Sequence, residues 1–187
     1  MADNSPGGWG SEGDFHPDDC GSSSCRRCNK SSCFPYDTLI DTPSGKVKIG
    51  ELKKGQLVLS YNAGKLIPRP ITRKRARGVA PIVQIEFSDG KTLFATNHHS
   101  FLTQGGWKKL ADIRLGDKVV RADTRHSTVK RVTQLGTEPV FNIYTAGEHT
   151  FIAEGFVAHN FTEFRRVRTI LHQLFLDPIH SIEMAFA

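Results

Sequence analysis

The chain has 187 residues, of which 38% are hydrophobic and 24% are charged. These values fit one globular domain with short flanks and exclude a wholly disordered chain, which would carry fewer apolar residues. The formal net charge of +6 permits an acidic partner without requiring one, and the lack of any run of 18 apolar residues argues against a membrane-spanning helix.

Residues 1–32 differ in composition from the rest of the chain. They are rich in Gly, Ser and Asp and contain almost no aliphatic side chains. Because such a segment buries too little apolar surface to offset its ordering entropy, we expect a flexible leader. It has no basic region followed by an apolar one, so we expect no secretory signal peptide, a cytoplasmic location and reduced thiols.

All four cysteines lie within fourteen positions, at Cys20, Cys25, Cys28 and Cys33. Cys25 and Cys28 have the two-residue gap of many zinc ligands, so a small zinc knot formed by all four is one interpretation. The other interpretation is that the thiols form disulfides with each other or stay reduced. Cys33 is also a candidate nucleophile, although a thiol with a pKa of about 8.5 needs a neighbouring base or local strain to react.

The stretch after Cys33 predicts a hairpin followed by another strand. Residues 38–41 and 46–49 alternate between apolar and polar positions on either side of a Pro-Ser-Gly turn, and residues 56–61 predict the next strand. The ordered pattern in this stretch consists of Cys33, Thr38, Ile49, Leu52, Gly55 and Val58.

Residues 62–81 carry a run of basic side chains that includes Arg73, Lys74, Arg75 and Arg77. No aromatic residues interleave with these charges, which favours a solvated strand or loop face. Nucleic-acid contact is the alternative, and together with a cysteine-bound zinc ion it would describe a non-catalytic binding protein.

A second hairpin is predicted around Asp89-Gly90, because this dipeptide favours a tight turn between two alternating runs. Its second strand ends in Thr96-Asn-His-His99. A hydroxyl and an imidazole at this spacing can bind a carbonyl oxygen and protonate a departing amide nitrogen. Two exposed histidines at a strand end are the alternative interpretation.

Residues 105–120 repeat in outline the pattern of residues 49–58, with a short apolar turn, a Gly and then a strand. A weak internal repeat of this kind suits a fold made of two related β halves. Residues 121–131 are polar and predict a loop that leads into a strand at 127–132.

The closing stretch contains three apolar runs that predict short strands at 140–144, 150–152 and 156–158. The last strand leads into His159 and Asn160. An Asn can attack its own backbone carbonyl through the side-chain nitrogen, which closes a succinimide and cuts the chain behind it. The preceding His can hydrogen-bond that carbonyl or protonate the leaving amine.

Residues 161–187 place apolar side chains at helical spacing as far as Asp177-Pro178, where a helix should stop. We therefore expect a helical, amphipathic tail that packs on a partner or on the domain. A toxin fragment and a membrane-surface helix are the alternatives.

Taken in chain order, these motifs resemble those of the intein and HINT (Hedgehog/intein) superfamily, in particular bacterial intein-like domains without a downstream Cys, Ser or Thr nucleophile. The matching positions imply a self-processing domain at 33–160, between the leader at 1–32 and the tail at 161–187. The resemblance also implies an all-β horseshoe fold of two pseudo-symmetric halves.

The resemblance further implies roles for individual residues. The Cys33 thiol would attack the carbonyl of Ser32 in an N-to-S acyl shift, and Asn160 would cyclise and cut its bond to Phe161. The residues implied to assist these two steps are Thr96, His99, His149 and His159. A purely structural, hydrogen-bonded role for the turn histidine stays open, and His98 is expected to be a bystander.

Two positions depart from the family pattern. Asn142 stands where many inteins carry Asp, which removes an ionisable group thought to couple the two cleavages. Phe161 stands where splicing needs a Cys, Ser or Thr to take over the thioester. The resemblance therefore implies cleavage with little or no ligation.

The implied substrate is the chain's own flanking segments, with water or a small nucleophile resolving the thioester. This single-turnover chemistry requires no metal and no cofactor, and we expect a monomer with no nucleic-acid partner. A maturation module in a secreted polymorphic toxin is the alternative setting, which would place the protein outside the cell.

Overall fold

The computed structural model describes residues 32–160, which form a nearly all-β domain. The leader, the helical tail and three of the four cysteines fall outside the described residues. The strands are β1 (Phe34–Pro35), β2 (Leu39–Thr42), β3 (Gly45–Lys48), β4 (Leu57–Asn62), β5 (Lys65–Phe87), β6 (Thr92–Ala95), β7 (Ser100–Thr103), β8 (Gly106–Lys109), β9 (Lys118–Val120), β10 (His126–Thr145), β11 (Thr150–Ala153) and β12 (Phe156–His159), with one 3-10 helix at Leu110–Asp112. The expected all-β fold is confirmed.

Within residues 32–160 the strands join one antiparallel sheet. Its main path runs β3-β2-β11-β12-β7-β9-β10-β5-β4, while β1 pairs with β10, β6 with β5 and β8 with β7. Because β12 lies between β11 and β7, the last described strand lies beside the middle of the chain. This arrangement brings sequence-distant motifs together.

The tight turns lie where the sequence predicted them. The first hairpin joins β2 to β3, and the second joins β5 to β6 across Asp89-Gly90. A third joins β11 to β12 through Glu154 and Gly155, which both have positive φ (51° and 81°), as a two-residue hairpin turn requires.

The basic run, expected to be a solvated strand or loop face, is a strand that continues into the second hairpin, and the strands expected at 127–132 and 140–144 are continuous with each other. β5 and β10 are thus single long strands that pair with each other through four register shifts. Most of residues 130–139 are exposed, because no further layer of strands covers this part of the ribbon. With no buried face there is no apolar alternation, so the sequence pattern did not indicate a strand.

The internal repeat is confirmed as a structural repeat. Gly55 and Gly116 have φ of +88° and +85°, and each donates its N–H to a later strand, to the Ile71 carbonyl at 2.8 Å and the Val129 carbonyl at 2.9 Å. The buried residues that correspond across the repeat are Ile49 and Leu110, Leu52 and Ile113, and Val58 and Val119. The same loop conformation thus occurs once in each half of the domain.

The main core also fixes both ends of the described chain. Phe34 is fully buried and meets Phe101 and Phe151 edge-on, with ring centroids 6.0 and 5.8 Å apart. Aromatic pairs in this geometry add to the free energy of burial. Phe34 therefore anchors Cys33 in the interior, while the fully buried strand β12 carries the chain to Asn160.

Candidate functional site

The peptide bond between Ser32 and Cys33 is held by Thr96, which follows β6. The Cys33 N–H donates to Thr96 Oγ1 at 2.9 Å, and that hydroxyl donates to the Cys33 carbonyl at 3.3 Å. The Thr96 N–H donates to the same carbonyl at 3.0 Å. Thr96 therefore binds both the N–H and the carbonyl of Cys33.

Ser32 is fixed by a contact that the sequence did not indicate. Its hydroxyl donates to the carbonyl oxygen of His98 at 2.8 Å. His98, which was expected to be a bystander, therefore holds Ser32 through its backbone carbonyl. A contact made by the backbone leaves no side-chain pattern in the sequence. The residue on each side of the Ser32–Cys33 bond thus has its own anchor.

His99 is completely buried beside this bond, so the alternative of two exposed histidines is wrong for this residue. Its ring lies 4.1 Å from that of Phe34, 5.4 Å from Phe101 and 5.9 Å from Phe151, measured between centroids. Both ring nitrogens lack a hydrogen-bond partner among residues 32–160. The three aromatic rings around His99 provide no hydrogen-bonding group that would stabilise a positive charge on the imidazole.

Burial accordingly lowers the pKa of His99 from 6.5 to about 3. The Ser32 backbone lies near enough to favour the charged ring, though outside hydrogen-bond geometry, and His159 disfavours it. The imidazole is therefore neutral at physiological pH. It can accept a proton at one nitrogen and, once charged, gives that proton up readily.

Asn160 is held at the other end by three hydrogen bonds. Its backbone N–H donates to the His149 carbonyl at 2.9 Å, and its side-chain oxygen accepts from Asn142 Nδ2 at 3.3 Å. The side-chain nitrogen donates to the Ile143 carbonyl. All but 3% of Asn160 is buried, so its carboxamide has a fixed orientation.

Asn142 is a site residue that the sequence did not select, although its difference from the family pattern was visible. The Asn142 amide donates a hydrogen bond to Asn160, which an ionised Asp at this position could not do. The Asn142 side-chain oxygen has no partner among residues 32–160. Asn142 therefore supplies a donor to Asn160 that a carboxylate would lack.

His159, the residue before Asn160, is 8% exposed and lies against the ring of Trp107, with centroids 4.9 Å apart. Burial, with a smaller contribution from the neighbouring His149, lowers its pKa from 6.5 to about 4. This imidazole is therefore also neutral at pH 7. Nothing in the sequence beyond the place of Trp107 in the repeat indicated that this residue contacts the site.

His149 lies in the turn between β10 and β11 and is exposed to solvent. Its Nδ1 lies 3.1 Å from the Thr145 carbonyl, and because a carbonyl only accepts, this nitrogen carries the proton. Its φ is 56°, a left-handed backbone that is unusual for a residue with a side chain.

The expected site residues thus form two groups, with Cys33, Thr96 and His99 in one and His149, His159 and Asn160 in the other. The two groups are adjacent. Strand β12 pairs with β7 so that His159 lies opposite Ser100, the residue after His99. The electrostatic effect of His159 on His99 follows from this pairing.

Residues 39–163 match the family model of the pretoxin HINT domain. The chain belongs to this HINT family. The replicative DNA helicase DnaB of Rhodothermus marinus is 32% identical to this HINT chain over 96 residues, which span 47% of the chain and 10% of the helicase. The chain therefore matches only a small part of that relative's length.

Solved intein structures share the fold of this HINT domain. A DnaB intein from Synechocystis sp. PCC 6803 superposes with a TM-score of 0.66 at 27% identity, covering 71% of this chain and all of the intein. A bacterial intein-like domain from Clostridium thermocellum superposes with a TM-score of 0.65 at 20% identity, covering 70% of this chain and 99% of that domain. The horseshoe intein fold expected from the motifs is confirmed.

Membership of this family supports self-processing of the HINT chain, directed at its own flanking segments. In the part of the chain that the structure describes, no helix is long and apolar enough to cross a membrane. Residues 32–160 also contain no group of three or more His, Cys, Asp or Glu side chains suited to a metal ion. The zinc alternative stays untested, because Cys20, Cys25 and Cys28 lie outside that range.

Proposed function

We propose that this HINT domain cuts its own chain at two bonds, after Ser32 and after Asn160, with little or no ligation of the released flanks. The domain at 33–160 is the catalyst, and the segments 1–32 and 161–187 are its substrates. The observation that carries the proposal is the pairing of a Thr96-clamped Cys33 amide with the buried His99 ring.

At the first bond, Cys33 Sγ attacks the carbonyl carbon of Ser32, forming a carbon–sulfur bond as the carbon–nitrogen bond breaks. The thiol proton passes to the leaving Cys33 nitrogen, with the His99 imidazole as carrier. A ring with a pKa of about 3 accepts this proton only transiently and returns it readily. Water then hydrolyses the thioester and releases the leader.

Thr96 supports this step by aligning the amide. The hydrogen bond from the Cys33 N–H to Thr96 Oγ1 fixes the orientation of the nitrogen that must be protonated. In the buried setting such a bond is stronger than in water. The Ser32 hydroxyl, bound to His98, keeps the attacked carbonyl from rotating away.

At the second bond, the Asn160 side-chain nitrogen attacks its own backbone carbonyl carbon. A five-membered succinimide forms, the bond to Phe161 breaks, and the side-chain proton is transferred to the leaving amine. Asn142 and the Ile143 carbonyl orient the carboxamide. His159 donates to the carbonyl oxygen or to the leaving nitrogen, and His149 relays protons at the solvent side.

Phe161 makes ligation inefficient, because its side chain has no thiol or hydroxyl to accept the acyl group. The thioester at Cys33 then waits for water or another small nucleophile. An added thiol should therefore accelerate the break after Ser32 several-fold in freshly prepared protein and leave the break after Asn160 unchanged. If thiol leaves both rates unchanged, the thioester step is wrong. Cys33→Ala is the matched control.

The family description supports one particular setting, a maturation module of a toxin, since the matched model is that of a pretoxin domain. There the break after Asn160 frees a segment attached downstream. A folded reporter fused after Ala187 tests this setting. We expect its release in wild type and not in Asn160→Ala, and a reporter that stays attached in wild type excludes this setting.

A further inference from the structure

The turn that carries His149 is held from the side by an ion pair on the β4–β5 hairpin. Arg69 donates through Nε to Glu148 Oε2 at 2.9 Å and through a terminal nitrogen to Oε1 at 2.8 Å. Asn62 Nδ2 donates to the same carboxylate at 3.1 Å. Paired, parallel hydrogen bonds between a guanidinium and a carboxylate fix geometry better than a single contact.

The Arg69 guanidinium also packs against the backbone of this turn. A Cβ atom at Gly147 would stand 3.1 Å from Arg69 Nε, so the contact is close, and Gly147 has a φ of +75°. His149 follows with its own positive φ of 56°. Two left-handed residues around Glu148 form a conformation that needs outside support, because such backbone costs free energy.

This conformation reaches the cleavage residue directly. The His149 carbonyl accepts the Asn160 backbone N–H at 2.9 Å, and the His149 ring is set by its bond to Thr145. A shift of the turn therefore moves both the histidine and the asparagine. By contrast, the Ser32–Cys33 bond is held by the Thr96 hydroxyl and by the His98 carbonyl, which belong to the segment between β6 and β7.

A second connection shows that the hairpin and the turn are joined as a unit. The Thr150 hydroxyl lies 2.7 Å from the Ser60 hydroxyl, accepts from the Tyr61 N–H at 2.8 Å and lies 2.8 Å from the Tyr61 carbonyl. This buried contact holds the base of the turn. The Arg69–Glu148 pair holds its tip, where the side chains are 35% and 22% exposed.

We infer that Arg69 and Glu148 are positioning residues for the cleavage after Asn160 and leave the cleavage after Ser32 unaffected. The inference rests on the proposed function, since it assigns a control element to the second of the two reactions. The pair acts on the His149 backbone and ring, and through them on the Asn160 amide. Neither side chain takes part in bond making.

The test compares the rates of the two breaks in Glu148→Ala, Arg69→Ala and the double variant. We expect each single change to slow the break after Asn160 by about tenfold, because misplacing a reacting group by a fraction of an ångström has effects of this order. The double variant should be no slower than the singles, since the two residues act as one unit. The break after Ser32 should stay within about twofold, since the Ser32–Cys33 bond is held by the Thr96 hydroxyl and the His98 carbonyl.

Asp117→Ala is the matched control. Asp117 accepts from Lys108 at 2.8 and 3.0 Å, and these side chains are 22% and 37% exposed, so an ion pair of similar geometry and exposure is removed elsewhere. We expect both breaks to keep their rates. Equal slowing by Glu148→Ala and by the control would show a general loss of stability and overturn the inference.

Two further outcomes would also overturn the inference. In the first, Glu148→Ala and Arg69→Ala leave the rate of the break after Asn160 unchanged. In the second, the effects of the two single changes on that rate add in the double variant. Glu148→Gln keeps the size of the side chain without the charge, so an intermediate rate is expected even if the alanine variant folds poorly. A wild type that shows no break after Asn160 rejects the proposed function instead, which separates the two failures.

Discussion

The two proposed cleavage sites are adjacent, since His159 lies opposite the residue after His99, but they are built differently. The site at Cys33 is largely buried, with His99 enclosed by three aromatic rings and both anchors made by backbone or hydroxyl groups. The site at Asn160 is open on one side, where His149 faces solvent. The first reaction should therefore depend on the core, and the second on how polar contacts hold a turn.

The largest expected effect comes from removing the buried imidazole. We expect His99→Ala to slow the break after Ser32 by about a thousandfold, within the range for loss of a proton-transfer group. The break after Asn160 should change far less, because Asn160 bonds to residues other than His99. Mass-resolved kinetics measures both. His126→Ala, an exposed change on β10, is the control, and equal slowing of both breaks would contradict separate sites.

Acid should destabilise the domain through the buried imidazoles of His99 and His159. The pKa of His99 is about 3 when folded and about 6.5 when unfolded, so between these values the unfolded chain binds more protons and stability rises with pH. In a Cys33→Ala/Asn160→Ala background, this residue should account for about 3 kcal/mol of the stability lost between pH 7 and pH 4.

His159 also lowers the free energy of unfolding as the pH falls, over a narrower pH range, since its folded pKa is about 4. Urea unfolding at both pH values gives the measurement, with His99→Gln added to the same background as comparison. The added change should flatten the pH dependence. An equally steep dependence in His99→Gln would show that the buried ring is not responsible.

The next largest effect is expected from removing the Thr96 hydroxyl, which hydrogen-bonds to the Cys33 backbone. Thr96→Ala removes the acceptor of the Cys33 N–H and should slow the break after Ser32 by about a hundredfold, as for a lost oriented polar partner in a buried site. Thr96→Ser keeps the oxygen and should stay within about tenfold of wild type. If Ser is as slow as Ala, the methyl packing and not the hydrogen bond is what counts.

The smallest expected effect concerns the other site. Asn142→Ala removes the donor to the Asn160 side-chain oxygen and should slow the break after Asn160 by about tenfold, the size of one buried hydrogen bond. The break after Ser32 should be unchanged in the same sample. Slowing of the first break alone would contradict the placement of Asn142 at the second site.

The sequence predicted the elements that have a buried face. The hairpins, the strands of the closing motif and the loop repeat all show apolar residues at fixed intervals, so their positions were confirmed. The ribbon formed by β5 and β10 was missed as continuous strands, because its exposed middle carries no alternation. Apolar alternation marks a strand in the sequence only where one face of that strand is buried against another layer of the structure.

The repeat also shows why sequence reasoning separates fold from function. In the first half the Thr38 carbonyl accepts the Ile49 N–H at 2.8 Å, and in the second half the His99 carbonyl accepts the Leu110 N–H at the same distance. Equivalent backbone positions therefore carry Thr in one half and the candidate catalytic His in the other. The family motif could select His99, whereas the contacts of His98, Asn142 and Arg69 required coordinates.

The most direct test of self-cleavage at two bonds is the intact mass of freshly expressed protein beside Cys33→Ala and Asn160→Ala. Wild type should show breaks after Ser32 and after Asn160, the fragment ending at Asn160 being one water lighter than its hydrolysed form, and each variant should lose only its own break. A wild type that stays whole even with added thiol would contradict the account. A mass for residues 1–32 joined to 161–187 would contradict the claim that Phe161 prevents efficient ligation.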